Sequence, residues 1–354
     1  MQIARQKVVL GMSGGVDSSV SLYLLKKAGF EVIGVSLRYK NWSGCKRENL
    51  CCTKESFENA KKVCEYFDCP HETIDVSSEF EEKVIRYFKD SLKRNITPSP
   101  CVFCNPQVKF EQLLKCADKI GADFVSTGHY ARIRKKDRFE LLRAVDKTKD
   151  QTYSLSFLTQ KELSRCIFPL GSFRKQEVVN IAESIEGLSF YSKIKQSQDF
   201  CFLGKDELAP FIESEIKPEA GEIYDDSGQH LGSHKGLSYY TIGQREGIGL
   251  TGGPFFVLSK DPERNRLIVT KDKRMVFTGE LFLRPFNFIS GDPLAKKIAV
   301  RAKVRSSGQL NSAILGPRED GLRLLFKNKQ FAPTPGQVAV FYSGEVCLGA
   351  GVIN

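Results

Sequence analysis

Three stretches of this chain bring together residue types that do chemistry. The first, Ser13-Gly14-Gly15-Val16-Asp17-Ser18, stands between a short apolar run and a segment with helical patterning. Glycines there let backbone N–H groups close on an anion, and the following helix turns its positive end toward it. Ser13 and Ser18 add hydroxyl donors, and Asp17 is placed to hold Mg²⁺ against phosphates. No G-x-x-x-x-G-K-[ST] occurs anywhere, so the loop has no Walker lysine. The second stretch is Cys101-Val102-Phe103-Cys104, approached through Thr97-Pro98-Ser99-Pro100. Prolines hold these thiols near a helix start, where a thiol pKa falls and a thiolate nucleophile becomes available. The spacing suits a dithiol, two metal ligands or a nucleophile with a neighbour. No second C-x-x-C completes a four-thiolate zinc site. In the third stretch, Ser197-Gln198-Asp199-Phe200-Cys201-Phe202, Cys201 alone reads as a core cysteine. A further segment, Gly247-Ile248-Gly249-Leu250-Thr251-Gly252, fits G-x-G-x-x-G but runs into Gly253-Pro254 instead of a helix, and is set aside as a dinucleotide site.

Alternating strand and helix patterns over the first ~135 residues position these groups, as in a doubly wound parallel sheet. Lys7-Val8-Val9-Leu10 reads as a buried strand, Ser18 to Ala28 as a helix capped by Gly29, and Glu31 to Leu37 as the next strand. Glu55 to Phe67 and Asn105 to Ile120 read as helices, His71 to Val76 and Asp123 to Thr127 as strands. Residues 150–200 look helical and extend this unit. Turns and short β-rich runs dominate from Gly221, and short alternating strands from Gly279 onward point to a C-terminal β-barrel. The expected domains are 1–204, 205–278 and 279–354.

Composition narrows the class. With 354 residues, 41% hydrophobic and 27% charged, the chain reads as a multidomain globular protein. No apolar run is long enough to span a bilayer and the N-terminus lacks a signal-peptide core, so a cytoplasmic protein is expected, with no membrane partner. Eleven cysteines in that setting argue against a disulfide framework. Residues 260–354 hold 16 Lys and Arg against 8 Asp and Glu, so +8 of the +11 net charge lies there. A basic C-terminal part suits a polyanionic partner or a solvated basic surface.

The motif Gly11-Met12-Ser13-Gly14-Gly15-Val16-Asp17-Ser18 resembles the loop of the PP-loop ATP pyrophosphatase superfamily. Further matches extend the resemblance over nearly the whole chain: Cys51-Cys52, Cys104-Asn105, Thr127-Gly128-His129-Tyr130, Lys149-Asp150-Gln151, Phe168-Pro169-Leu170-Gly171, Ser197 to Phe202, Tyr240 to Arg245 and Pro335-Gly336-Gln337. Together they resemble the bacterial tRNA-specific 2-thiouridylases. The resemblance implies an adenine-nucleotide α-hydrolase-like fold, a small central domain and a β-barrel. It implies that ATP with Mg²⁺ is held by residues 11–18, with Leu37 and Gly128 at the adenosine and Asp17 at the metal. It implies adenylation of O2 of the wobble uridine, a persulfide on Cys201 delivered by a sulfur donor or relay protein, and Cys104 as the nucleophile that frees the sulfur. Contacts to the tRNA anticodon stem-loop would come from Ser99, Pro100, Cys101, His129, Asp150, Gln151, Thr152, Arg305, Ser306 and Gln337. The wobble base would leave its stack to reach the site.

One departure stands out. The family pattern has aspartate three residues before the nucleophilic cysteine, and here that residue is Cys101. Two assignments stay open: Cys101 is incidental to a Cys104–Cys201 persulfide relay, or Cys101, Cys104 and Cys201 ligate a [4Fe–4S] cluster. A small-molecule PP-loop ligase or amidotransferase would explain the loop but neither the cysteines nor the basic end. A non-catalytic RNA-binding adaptor would explain the basic end alone.

Overall fold

The computed structural model describes residues 5–39, 42, 53–193, 202–204 and 206–354. Cys51, Cys52 and the segment Ser197 to Cys201 fall outside the described residues.

The chain opens with β1 (Lys7–Gly11), β2 (Glu31–Arg38), β3 (His71–Asp75) and β4 (Phe124–Thr127), followed by β5 (Ala131–Lys135), β6 (Phe139–Arg143) and the two-residue β7 (Cys166–Ile167). Five of these form a parallel sheet in the order β3-β2-β1-β4-β7. Val8, Val9 and Leu10 are fully buried. Val9 belongs to the apolar core that includes Phe110 and Leu113, whereas Val8 and Leu10 belong to the one that includes Val20, Leu22 and Leu25. An uninterrupted apolar run is what a central parallel strand requires, because helices cover both its faces. The chain leaves β1 toward β2 on one side and returns as β4 on the other. This reversal opens a crevice beyond the carboxyl ends of β1 and β4, where doubly wound folds bind ligands.

The helix Val16–Lys27 starts inside the glycine-rich loop and ends before Gly29, whose φ of +89° accepts the turn back toward β2. A long helix over 77–93, assembled from Ser77–Phe80, a π-turn at Glu81–Ile85 and Arg86–Lys93, was not anticipated from the sequence. The predicted helix beginning at Asn105 starts earlier, at Pro100, and runs through a π-helical stretch, Asn105–Phe110, to Ile120. Pro100 occupies its first turn, where a missing N–H costs nothing. Residues 150–193 are only partly helical, since β7 interrupts them as the edge strand of the sheet.

The central part forms a four-stranded sheet from β8 (Gly221–Asp225), β9 (His230–His234), β10 (Phe256–Asp261) and β11 (Arg266–Thr270), in the order β10-β11-β8-β9. Then β12 (Phe277–Phe288), β13 (Ile298–Lys303), β14 (Asn311–Arg318), β15 (Gly321–Phe331), β16 (Val338–Ser343) and β17 (Val346–Ile353) follow one another. β12 pairs with both β15 and β17, which closes these six strands into a barrel around Leu283, Leu315, Leu324 and Phe341. The β5–β6 hairpin joins the outside of that barrel through Leu142 opposite Val346 and Leu141 opposite Cys347. Part of the first domain therefore belongs to the barrel's sheet, a pairing invisible in local sequence. Tyr153 adds to the joint by donating its hydroxyl to the Val338 carbonyl at 2.8 Å. Among the described residues no helix is long and apolar enough to cross a membrane.

Candidate active site

The glycine-rich loop is built by close approach. Gly14 has φ +74°, and a Cβ on it would lie 2.0 Å from the Ser56 carbonyl oxygen, at the start of the helix Lys54–Tyr66. Gly128, just past β4, would put a Cβ 2.9 Å from the Ser18 nitrogen. Both positions need glycine for the loop to seat between these neighbours. Gly15 is the residue at the helix N-cap, and its carbonyl accepts from the Ser18 hydroxyl at 2.9 Å and the Ser19 hydroxyl at 3.1 Å. The Ser13 and Ser18 hydroxyls stand 3.3 Å apart. Hydroxyls, backbone N–H groups and a helix N-terminus thus converge at the end of β1.

Asp17 is already engaged. Its Oδ1 accepts from the Tyr130 hydroxyl at 2.8 Å and from Lys175 Nζ at 2.6 Å. Burial first, then the Asp17 carboxylate, hold the Tyr130 hydroxyl protonated far above the usual phenol range. A carboxylate flanked by serine hydroxyls is a donor set that fits a hard cation such as Mg²⁺.

The loop opens into a cavity of about 1690 Å³ that runs past Leu37 and both cysteines of the C-x-x-C to the barrel residues Arg305 and Gln337. A small-ligand pocket is commonly about 300–1,000 Å³, so this one has room for a nucleotide and part of a second, larger molecule. Leu37, Gly128 and the largely buried Met12 border it beside the loop, and the Met12 N–H is bonded to the Val35 carbonyl.

Cys101 and Cys104 sit one helical turn apart, but their surroundings differ: Cys101 is exposed and Cys104 buried. The expectation of a thiol lowered by a helix start is corrected at Cys104. Burial pushes its pKa up to about 12, with Lys109 pulling the other way. The next residue, Asn105, anchors the turn by donating its amide to the Ser154 carbonyl at 2.8 Å. Cys201 lies outside the described residues, but Phe202, next in sequence, borders the same cavity and packs edge-on against Phe80 and Phe88. A [4Fe–4S] cluster needs three converging thiolates. The described part of the C-x-x-C offers one exposed and one buried thiol, and among the described residues no group of three His, Cys, Asp or Glu is suited to a metal. The third thiol such a cluster would use, Cys201, lies outside those residues.

His129 is buried, its Nδ1 2.7 Å from the Thr127 hydroxyl and its ring stacked on Phe110. Burial lowers its pKa well below the usual histidine value, so it is a neutral imidazole facing the cavity. Ser99 precedes the Pro100 helix, and both line the cavity, as do Gln151 and Ser306. Gln151 Oε1 accepts from the Tyr130 N–H at 2.8 Å. Among the described residues Arg305 Nε and Gln337 Oε1 are buried without a partner, although Arg305 spends Nη2 on the Ala332 carbonyl. Unpaired buried polar atoms beside a cavity ask for a ligand or water. Two further expected contacts are engaged within the protein, although Asp150 also borders the cavity. Thr152 is fully buried, its hydroxyl held by Asp150 and Tyr342. The Asp150 carboxylate is 2% exposed and accepts from Arg143, Ala144 and Thr152. The sequence reading missed Lys175, Tyr130 as the partner of Asp17, and Lys109. Tyr130 stands inside a quoted motif and Lys175 follows another by four residues, but their meeting at Asp17 is tertiary.

Three family models match in succession: tRNA methyl transferase HUP domain over residues 6–205, tRNA methyl transferase PRC-barrel domain over 209–271, and aminomethyltransferase beta-barrel domain over 278–353. A protein of Clostridium botulinum named tRNA-specific 2-thiouridylase MnmA is 42% identical over 364 residues, covering 100% of this chain and 99% of its own. The chain belongs to the tRNA-specific 2-thiouridylase family. A second member of this family, from Caldanaerobacter subterraneus subsp. tengcongensis, is 43% identical over 98% of both chains. Among solved structures, the U34-tRNA thiolase NcsA from Methanococcus maripaludis with its [4Fe–4S] cluster is 18% identical, with a TM-score of 0.36 over 61% of this chain and 68% of its own. A likeness that distant carries no argument about the thiols of the 2-thiouridylase site.

Proposed function

We propose that this protein is an ATP-dependent tRNA sulfurtransferase that converts the wobble uridine of tRNA to 2-thiouridine. The observation that carries this reading is one cavity shared by the glycine-rich loop, Cys104 and the basic barrel residues Arg301, Lys303 and Arg305. A nucleotide on the loop and cations for the RNA serve adenylation of a base, and a thiol in the same cavity serves the sulfur transfer that follows.

In this reading residues 11–18 cradle the phosphates, with Leu37 and Gly128 beside the adenosine, and Asp17 and the serine hydroxyls hold Mg²⁺, which neutralises phosphate charge when bound. The uridine O2 attacks the α-phosphorus. The bond to the β-phosphate oxygen breaks, and its electron pair leaves with pyrophosphate. The terminal sulfur of a Cys201 persulfide, supplied by a sulfur donor or relay protein, adds to C2 and displaces AMP. Cys104 then attacks the Cys201 sulfur. The S–S bond to the transferred atom breaks, a Cys104–Cys201 disulfide forms and a thiol reductant resets it. His129, Gln151, Arg305, Ser306 and Gln337, with Ser99, Pro100 and Cys101, are the groups we assign to the tRNA. Asp150, which also borders the cavity, and Thr152 brace these groups through Arg143 and Tyr342.

Pyrophosphate release tests the reading against a small-molecule ligase. Release that requires tRNA and falls steeply with added salt supports it. Release driven by a small amine or acid acceptor without tRNA would replace it with the ligase.

A further inference from the structure

We propose that Lys175 is the cation that grips the phosphate chain of the bound nucleotide, filling the role for which the loop's own sequence has no lysine. The inference rests on the nucleotide reading above and names a binding residue within it.

Residues 11–18 contribute N–H groups, hydroxyls and one carboxylate, but no positive side chain. Left alone, Asp17 would add a negative charge where a polyanionic triphosphate must settle. Lys175 cancels it. Its Nζ lies 2.6 Å from Asp17 Oδ1, and its side chain is only 13% exposed. The lysine is also built into place from the other end. It opens the helix Lys175–Glu183, its backbone N–H donates to Asp146 Oδ2 at 3.0 Å, and its ammonium lies 5.8 Å from the centre of the Tyr130 ring. Tyr130 and Lys175 share the same oxygen of Asp17, so three residues from distant parts of the chain fix one another at the edge of the loop.

An ammonium has three N–H donors. Asp17 takes one, and because Lys175 borders the cavity the others are available to phosphate oxygens. Among the described residues bordering the cavity, Lys175 is the lysine bonded to a side chain of the loop; Lys147, by contrast, is spent on Glu345. When the α–β phosphate bond breaks, negative charge grows on the departing pyrophosphate, and a fixed ammonium beside it favours that state. Lys175 therefore belongs to the pyrophosphate half of the nucleotide, not to the adenosine.

That division gives the test. Binding of ATP, AMP and pyrophosphate is measured on the full chain without tRNA, for the native protein, Lys175→Gln and Lys175→Arg. A lost hydrogen bond to a charged group predicts that Lys175→Gln weakens ATP and pyrophosphate by about tenfold or more, leaves AMP within about twofold, and is largely rescued by Lys175→Arg. Equal losses for ATP and AMP, or no loss, would overturn the assignment. Should Lys175→Gln fail to fold, acetylation of the native protein mapped by peptide mass decides: pyrophosphate protects Lys175 and AMP does not if the proposal holds, and equal labelling with and without pyrophosphate overturns it. Native protein that binds neither ATP nor pyrophosphate would bring down the nucleotide reading as well, an outcome distinct from a loss confined to the variant.

Discussion

Cys104 should be a slow nucleophile in the free protein, and the size of the effect follows from its surroundings. With a pKa near 12, the value to which burial pushes it, only about one molecule in 10⁴ carries the thiolate at pH 8. An ordinary thiol with a pKa of about 8.5 is roughly a quarter ionised at that pH, some 2,000-fold more. The more basic thiolate is the stronger nucleophile, and a Brønsted slope of about 0.4–0.5 over 3.5 units returns a factor of roughly 25–60. The net expectation is alkylation about 40–100-fold slower than for the same cysteine in denaturant. The assay is iodoacetamide labelling followed by peptide mass mapping, native against denatured, at a series of pH values. Poor access also slows a buried thiol, but equally at every pH. The pH dependence is therefore the discriminating quantity. The native rate should climb about tenfold per pH unit from 7 to 9.5, while the denatured rate levels off above about 8.5. A native rate that levels off near pH 8.5, or one within about fivefold of the denatured rate, would refute the reasoning. If it holds, the thiolate is formed only when substrate has rebuilt the site around Cys104.

Gly14→Ala forces a side chain into left-handed backbone and against the Ser56 carbonyl. The backbone term alone is about 1–2 kcal/mol, so both the melting temperature and ATP affinity should fall, as calorimetry and equilibrium binding would report. In the Cys104–Cys201 relay, Cys101→Ala should keep most of the thiolation activity, because Cys101 is exposed and carries none of the sulfur transfer; loss of activity together with loss of bound iron in anaerobic protein would replace the relay with a cluster. Arg305→Ala should weaken tRNA binding at all salt concentrations and lower the slope of log affinity against log salt by about one, if its guanidinium meets a phosphate.

The parts of the fold set by local pattern were legible in the sequence. Val8-Val9-Leu10 announces a central parallel strand because nothing polar interrupts it, and Gly29 announces the end of the helix Val16–Lys27. The loop was legible for the same reason: glycines at 14 and 15 followed by a helix leave few other uses. The helix over 77–93 was harder, because Phe80, Val84, Phe88 and Leu92 repeat every fourth residue among many charges and the π-turn breaks the usual period. The β5–β6 hairpin could not be assigned to the barrel, since its partner Val346 is some 200 residues away. At the site, residue type misled where burial decides. The helix start pointed to an activated Cys104, and desolvation outweighs it. Asp150 and Thr152 looked available in sequence and are consumed by Arg143 and Tyr342. Lys175 carried no signal of its own, because only the tertiary structure brings it to Asp17.

The most direct test of the whole account is nucleoside mass spectrometry on unmodified tRNA incubated with the protein, ATP and a persulfide donor. The account predicts ATP-dependent 2-thiouridine at the wobble position, abolished by Cys201→Ala and by Cys104→Ala. An unchanged wobble uridine, from protein that binds ATP and tRNA and has a loaded sulfur donor, would contradict it.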